Sequence, residues 1–96
     1  MPVYAVAQIR IDDRERYGAY EAGFLPIFQK YGGELVAVDD APQLAEGEWP
    51  FTRLVVLRFE DAEQADAWYR SDEYRELMKI RQEASEGVLL FAKGLR

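Results

Sequence analysis

The segments of this chain that have the character of β-strands are apolar on both faces. In Leu54-Val55-Val56-Leu57 and in Val88-Leu89-Leu90-Phe91, no polar residue alternates with the apolar ones. A small antiparallel sheet normally buries one face and leaves the other in water. The pattern therefore predicts a sheet that is covered on both sides, although the helices of so short a chain can cover only one.

Strands are predicted where apolar residues follow one another or recur at every second position. In the first predicted strand every odd-numbered residue, from Val3 to Ile11, is apolar. Gly87 is expected to mark the break before the last strand. The predicted strands are Val3 to Ile11, Glu34 to Asp39, Thr52 to Phe59 and Val88 to Lys93, with a further short strand at Gln43 to Glu46.

Two amphipathic helical regions separate these strands. The first can be capped by Asp12 or Asp13 and is expected to end at Gly32-Gly33, because glycine accepts the left-handed turn after a helix. Pro26 removes a backbone hydrogen bond within this region and predicts a kink or two short segments. Apolar residues recur there at intervals of three and four, the spacing of one helix face: Tyr17, Tyr20, Phe24, Ile27, Phe28 and Tyr31.

The second helical region begins at Asp61, and Gln64 stands three residues later in the position of a capping box. Ser71 is expected to cap a second segment, because acidic residues follow it in the favourable first turn. The apolar stripe of that segment consists of Tyr74, Leu77, Met78 and Ala84.

The order of the elements is strand, helix, strand, strand, helix, strand. Because crossover connections are right-handed, this order predicts an α+β, ferredoxin-like βαββαβ fold with a four-stranded antiparallel sheet and two helical layers on one face. Length and composition predict a single domain spanning residues 1–96. The open sheet face then predicts a homodimer in which the sheets of two copies meet.

Composition argues against several classes of function. The formal net charge of −6 repels phosphate backbones and anionic lipid surfaces, so we expect neither a nucleic-acid nor a membrane partner. The chain contains no cysteine and no histidine, which removes thiolate nucleophiles, histidine acid–base catalysis and the usual zinc and haem ligands. We expect no metal and no cofactor. No signal-peptide pattern is present at the N-terminus, which predicts a cytoplasmic location.

Arg81 is the first candidate for a functional residue. It follows Tyr74 by seven residues and Leu77 by four, so it points along the apolar stripe of its helix. A buried guanidinium without a partner costs several kcal/mol and therefore requires an acidic residue, carbonyl groups or a ligand anion. Two interpretations remain open: a structural ion pair or a stem that reaches water, and an anchor for a ligand carboxylate or enolate.

The segment Glu46-Gly47-Glu48-Trp49-Pro50 is the second candidate. In the structural interpretation it is a turn in which Trp49 packs over a sheet edge. In the functional one, Trp49 forms a wall of a pocket, and Glu46 is a proton acceptor or the partner of Arg81. Pairing with arginine would lower the pKa of Glu46 and make it a poor base.

Tyrosines are the third candidate, because their hydroxyl groups can donate hydrogen bonds to a substrate oxygen. Most of the helical stripe is expected to be core. By position, Tyr20 and Tyr74 are the two most suited to reach a cleft.

A combination of segments spread over the chain forms a recognisable pattern: Tyr4 to Ala7, Tyr31 to Gly33, Glu46 to Pro50, Arg53 to Leu57, Ala67 to Tyr74, and Arg81. In this pattern the chain resembles the DUF1330 family over nearly its whole length. The resemblance implies membership of the dimeric α/β-barrel superfamily, whose wider relatives include cofactor-free monooxygenases, haem-degrading enzymes and muconolactone isomerases. Asp72 stands where the family's S-P-E-Y pattern has proline, and as a first-turn acid it should preserve the helix start.

Two hypotheses about function follow. The first is a homodimer that binds a small aromatic or carboxylate-bearing metabolite, either as a binding protein or as a cofactor-free isomerase or monooxygenase-like enzyme. In it Arg81 holds the anion, Tyr20 and Tyr74 donate hydrogen bonds, Trp49 forms a wall and Glu46 orients Arg81. The second is a non-catalytic structural or regulatory dimerisation domain. A roomy cleft around Arg81 favours the first, and a filled core with Arg81 bound to Glu46 favours the second.

Overall fold

The computed structural model describes all residues, Met1–Arg96. Four strands form one sheet, and three helices pack on one of its faces. No helix is both long enough and apolar enough to cross a membrane. In chain order the elements are β1 (Val3–Ile11), α1 (Arg14–Lys30), β2 (Glu34–Asp39), β3 (Arg53–Phe59), α2 (Ala62–Arg70), α3 (Asp72–Ala84) and β4 (Ser85–Lys93).

The sheet has the strand order β2-β3-β1-β4, and every neighbouring pair is antiparallel. The two central strands are therefore β1 and β3. Ala5 of β1 pairs with Leu57 of β3 on one side and with Phe91 of β4 on the other. A β-bulge at Val36 shifts the register between β2 and β3. This is the ferredoxin-like topology, and the predicted fold class is confirmed.

Side-chain caps determine where the helices begin. Asp13 accepts a hydrogen bond from the backbone N–H of Arg16 at 3.0 Å, so it is the cap of α1. Asp61 accepts from the N–H of Gln64 at 2.8 Å, while the Gln64 side chain accepts from the N–H of Glu60 at 3.3 Å. The second bond of the predicted capping box is thus donated by the N–H of Glu60, one residue before the cap Asp61, and not by the N–H of the cap itself.

Ser71 separates α2 from α3. Its hydroxyl donates to the carbonyl of Trp68 at 2.8 Å and accepts from the N–H of Tyr74 at 3.1 Å. The same residue therefore closes one helix and opens the next. At the end of α1, Gly32 adopts a φ of +75°, in the left-handed region that the sequence predicted.

Two local predictions were wrong. Residues 43–46 form no strand, because no neighbouring segment pairs with them. Gly87 does not precede the last strand but lies within β4, opposite Ile9, because β4 begins directly after α3 at Ser85. Of the two alternatives predicted at Pro26, the two short segments are excluded, because α1 is one helix from Arg14 to Lys30.

The core lies between the helices and the helical face of the sheet. Odd-numbered residues of β1 and β3, such as Ile9 and Phe59, point into this core from the sheet. Aromatic rings from two helices and the sheet meet in its centre: Phe28 of α1 lies 5.5 Å from Phe59 of β3 and 6.0 Å from Trp68 of α2, centroid to centroid. These contacts fix the helices over one face only.

The other face of the sheet is left open by the chain's own helices. Its centre is apolar, with Val6 and Val56 half-buried and Val88 and Leu90 exposed. Charges lie towards the ends of the strands, in pairs such as Arg10 with Glu86 and Arg58 with Glu34. The apolar surface expected from the strand pattern is therefore present, with ion pairs around it.

Gly87 marks a place where strand β4 approaches β1 closely. A Cβ atom there would contact the backbone oxygen of Gln8 and lie 2.7 Å from the Cα of Ile9. We expect Gly87→Ala to lower the free energy of unfolding by about 1–3 kcal/mol, because backbone cannot move aside as a flexible side chain can. Chemical denaturation at one fixed protein concentration measures this.

Gly18→Ala is the matched control. Gly18 lies in helix α1, and a Cβ there would meet no atom within 4 Å. This substitution should raise stability by about 0.5–1 kcal/mol, since alanine favours the helix over glycine. Equal effects of the two substitutions would contradict the packing described for β4.

Candidate functional site

A cavity of about 210 Å³ lies between the three helices and the sheet. Its floor is built from residues of β1, β3 and β4, among them Ala7, Val55 and Leu89. The small side chain of Ala7 in the central strand leaves room that a larger residue would fill. The half-exposed Leu25, Leu35 and Val38 also line it, on the side of α1 and β2. Thirteen of the sixteen lining residues are hydrophobic.

Arg81 brings a positive charge into this apolar cavity. It lies on the same face of α3 as Tyr74 and Leu77 and is only partly accessible to solvent. Its Nε atom is buried and has no hydrogen-bond partner. None of the ion pairs in the structure includes Arg81. The predicted position on the apolar stripe is therefore observed, and the predicted ion pair is not.

Tyr20 and Tyr74 meet at the helical side of the cavity. Their hydroxyl oxygens lie 2.7 Å apart and share a hydrogen bond between α1 and α3. Burial raises the pKa of both phenols above the ordinary value, and the neighbouring Arg81 charge opposes part of this rise for Tyr74. Both side chains therefore remain protonated near neutral pH. One hydroxyl donates to the other, which leaves one O–H of the pair to donate to a ligand.

Arg53 is a second cation on the cavity wall, and its charge is neutralised. Its guanidinium contacts Asp40 at 2.6 Å and Glu21 at 3.1 Å, and the hydrogen bond to Asp40 is the main cause of its raised pKa. It also lies 5.6 Å from the centre of the Tyr17 ring. Sequence reasoning singled out neither Arg53 nor Tyr17 as a site residue, because both partners of Arg53 are distant in the chain.

The structure places Trp49 and Glu46 away from the cavity. The indole N–H of Trp49 donates to the side chain of Gln8 at 2.8 Å, and Gln8 belongs to the open face of the sheet. Glu46 is exposed and forms no ion pair with Arg81. The hypothesis that Trp49 forms a wall and Glu46 orients Arg81 is wrong for this pocket: their loop reaches the opposite face of the sheet.

Trp68, a buried residue of α2, lines the cavity and was not among the predicted site residues. It is 1% exposed, and its ring lies 4.3 Å from that of Tyr74. Nothing in the spacing of α2 distinguishes it from a core residue, since only the packing of α2 against α3 brings it to the cavity.

The assembled site is suited to bind an anion rather than to attack a substrate. It presents the unpaired guanidinium of Arg81 and phenol hydroxyl groups within an aromatic enclosure, and it contains no activated nucleophile. No three acidic residues come close enough together in this chain to hold a metal ion.

The fold and the cavity together define an α+β protein of the ferredoxin-like class whose helices enclose a mainly apolar pocket with one unpaired cation. The model of the family named Domain of unknown function (DUF1330) matches residues 2–95. This chain belongs to that family, and the resemblance seen in the sequence is confirmed. No protein with curated function matches the chain.

Several solved structures share the fold. A protein of unknown function from Rhodopseudomonas palustris superposes with a TM-score of 0.82 and 21% identity, over 99% of this chain and 83% of that chain. SnoaB, a cofactor-independent oxygenase from Streptomyces nogalater, superposes with a TM-score of 0.71 and 10% identity, over 99% of this chain and 94% of that chain. A dimeric protein of unknown function with a ferredoxin-like fold from Bacteroides fragilis superposes with a TM-score of 0.63 and 12% identity, over 97% of this chain and 96% of that chain.

The buried tyrosines predict a loss of stability at alkaline pH. Burial raises the pKa of Tyr17 from 10.0 to about 12. The folded protein therefore holds this proton more tightly than the unfolded chain, so the contribution is complete below pH 10 and disappears as the pH rises towards 12. Chemical denaturation at a series of pH values in this interval should show a decline that is shallower in Tyr17→Phe. Parallel declines in the two proteins would contradict the assignment to Tyr17.

Proposed function

We propose that this protein binds a small aromatic or carboxylate-bearing metabolite in the cavity between its helices and its sheet, with Arg81 as the anchor for the ligand's negative charge. The observation that carries the proposal is the state of Arg81: the residue lines the cavity, it forms no ion pair with a carboxylate, and its buried Nε has no hydrogen-bond partner. An arginine inside an apolar enclosure requires a compensating anion, and here no side chain supplies one.

The size and lining of the cavity support an aromatic ligand. A volume of about 210 Å³ exceeds that of an apolar protein cavity of about 150 Å³ that binds benzene. The rings of Tyr20, Phe24 and Trp68 line the cavity and offer flat surfaces for a ring of the ligand. The guanidinium plane matches the two oxygens of a carboxylate or the oxygen of an enolate.

If the bound molecule reacts, the groups present favour chemistry that develops negative charge on an oxygen. Arg81 would stabilise an enolate or phenolate and so make the ligand a stronger acid. Isomerisation through such an anion requires no cofactor. Oxygenation also becomes possible when molecular oxygen is the oxidant and an electron-rich substrate supplies the electrons. The shared fold with SnoaB, itself a cofactor-independent oxygenase, is compatible with an enzyme-like role.

The alternative, a purely structural or regulatory domain, receives less support. It requires a filled core in which Arg81 is bound to Glu46, and Glu46 is exposed with Arg81 unpaired. Arg53, by contrast, shows what a structurally satisfied arginine looks like in this protein, because two carboxylates bind it.

We further propose that the open sheet face mediates a homodimer. The exposed apolar residues at its centre, Val88 and Leu90, would be buried against a second copy. Removal of this apolar surface from water would favour association of the two copies. Stable interfaces bury roughly 800 Å² on each partner, which a four-stranded sheet can supply. The dimeric protein from Bacteroides fragilis with this fold supports the idea.

Arg81→Met tests the anchor. The methionine retains much of the apolar stem but cannot bind an anion. We expect the affinity for aromatic carboxylates such as benzoate to fall about 10- to 100-fold, since hydrogen bonds to charged groups contribute roughly 1.5–3 kcal/mol. Isothermal titration calorimetry measures this, after a thermal-shift screen of aromatic acids on the unmodified protein.

Arg75→Met is the matched control, because Arg75 lies exposed on the same helix. It removes one positive charge without touching the cavity and should leave binding unchanged. If both variants lose affinity equally, the loss is caused by the change in net charge of the protein and not by the loss of an anchor in the cavity. A stability loss of several kcal/mol in Arg81→Met alone, with no acid bound by the unmodified protein, supports the structural interpretation instead.

Leu90→Asp tests the dimer. It places a charge among the exposed apolar residues of the open face, and the cost of burying that charge should shift the protein to monomer at low micromolar concentration. Light scattering after size exclusion gives the mass. Leu95→Asp, at a residue that is 92% exposed near the C-terminus, is the control. An unmodified protein that is already monomeric under these conditions rules the homodimer out.

A further inference from the structure

On the helical side of the central strand β1, the buried surface is interrupted at one residue. Val3, Ala5, Ile9 and Ile11 are buried there, whereas Ala7 in the middle of the series is only partly buried. A small apolar residue at the centre of a close-packed layer is normally covered by its neighbours. Ala7 remains accessible because the cavity reaches down to it.

Ala7 belongs to a row of four paired residues that crosses the whole sheet. It pairs with Val55 of β3 and with Leu89 of β4, and Val55 pairs with Val38 of β2. All four residues line the cavity, and none of them is fully buried. The floor of the cavity is therefore a trough that runs across the strands along this row.

The β-bulge at Val36 gives the trough an apolar rim at the β2 edge. In a regular strand, residues three positions apart face opposite sides of the sheet, so Leu35 and Val38 would be separated. The bulge inserts one extra residue between them, and both then line the cavity. Leu25 of α1 lines it with them, and all three are roughly half exposed. These three residues form the rim, where the trough meets solvent.

Arg81 enters the cavity from the helix that precedes the opposite edge strand. It belongs to α3, which leads directly into β4, and β4 and β2 are the two edges of the sheet. Because neighbouring strands lie about 4.8 Å apart, the trough measures about 10 Å from Ala7 in β1 to Val38 in β2. A single ring with a carboxylate covers only part of this length. A ligand held by Arg81 therefore reaches the rim only if it extends beyond one ring.

We propose that the ligand is an elongated aromatic acid. Its anionic group binds Arg81, its ring lies in the trough above Ala7 and Val55, and an apolar extension on the far side of the ring contacts the rim. This inference rests on the proposed function and narrows its ligand class to acids with an apolar substituent opposite the anionic group. Burial of the extension against the rim supplies the additional affinity.

The first test compares benzoate, 4-butylbenzoate and 2-butylbenzoate by isothermal titration calorimetry on the unmodified protein. The two butyl isomers have the same composition, but only in 4-butylbenzoate does the chain point away from the carboxylate. We expect 4-butylbenzoate to bind about 10- to 100-fold more tightly than benzoate, since each buried methylene contributes a factor of up to about four. The 2-butyl isomer should bind no more tightly than benzoate.

Val38→Thr tests the rim itself. Threonine keeps the β-branched shape and the strand preference of valine, but it places a hydroxyl where the apolar extension lies. Covering that hydroxyl without a hydrogen bond is unfavourable, so we expect the affinity for 4-butylbenzoate to fall about three- to tenfold. The affinity for benzoate should stay unchanged, because benzoate does not reach the rim.

Val36→Thr is the matched control. Val36 lies in the same strand and is 50% exposed, against 51% for Val38, but it does not line the cavity. This substitution should leave the affinities for both acids unchanged. If it weakens 4-butylbenzoate as much as Val38→Thr does, the rim has no part in binding.

The outcomes separate the two proposals. If benzoate binds through Arg81 but the two butyl isomers bind equally well, the proposed function stands and the elongated ligand is wrong. The inference is also wrong if Val38→Thr weakens benzoate and 4-butylbenzoate by the same factor. If the unmodified protein binds none of the three acids, the proposed function fails and the inference fails with it.

Discussion

The packing of aromatic rings between the helices and one face of the sheet is the interaction on which this structure depends. Phe28 of α1, Phe59 of β3 and Trp68 of α2 meet in its centre, and the stack continues to Tyr74 of α3. These large side chains hold the helices above the sheet at a distance that smaller residues such as Ala7 cannot fill. The same contacts that stabilise the fold therefore leave a cavity beside them.

Two arginines on the wall of that cavity differ in their electrostatic surroundings. Arg53 is satisfied by Asp40 and Glu21, which approach it from a loop and from α1. Arg81 is surrounded by tyrosines and apolar side chains and receives no carboxylate. Because the cost of an unpaired buried charge is high, the difference between these two residues is the strongest functional signal in the molecule.

Sequence patterns were sufficient for most of the fold and for part of the site. Period-two and helical spacing located the long elements, and Asp13, Asp61 and Ser71 act as the caps that their positions suggested. One error arose where a local preference was overruled: β4 runs through Gly87 because pairing with β1 continues there. Residues 43–46 lack a partner strand, which no local pattern reveals.

By itself, the sequence determined the order of the elements, the apolar face of each helix and the position of Arg81 on one such face with Tyr74. These properties depend on residues a few positions apart, which share an element and a geometry. The tertiary structure alone decided that Trp49 lies on the open face, that Asp40 and Glu21 neutralise Arg53, and that Trp68 is among the residues that line the same cavity as Arg81. Those arrangements join residues distant in the chain, and they depend on strand register and on how each helix packs on the sheet.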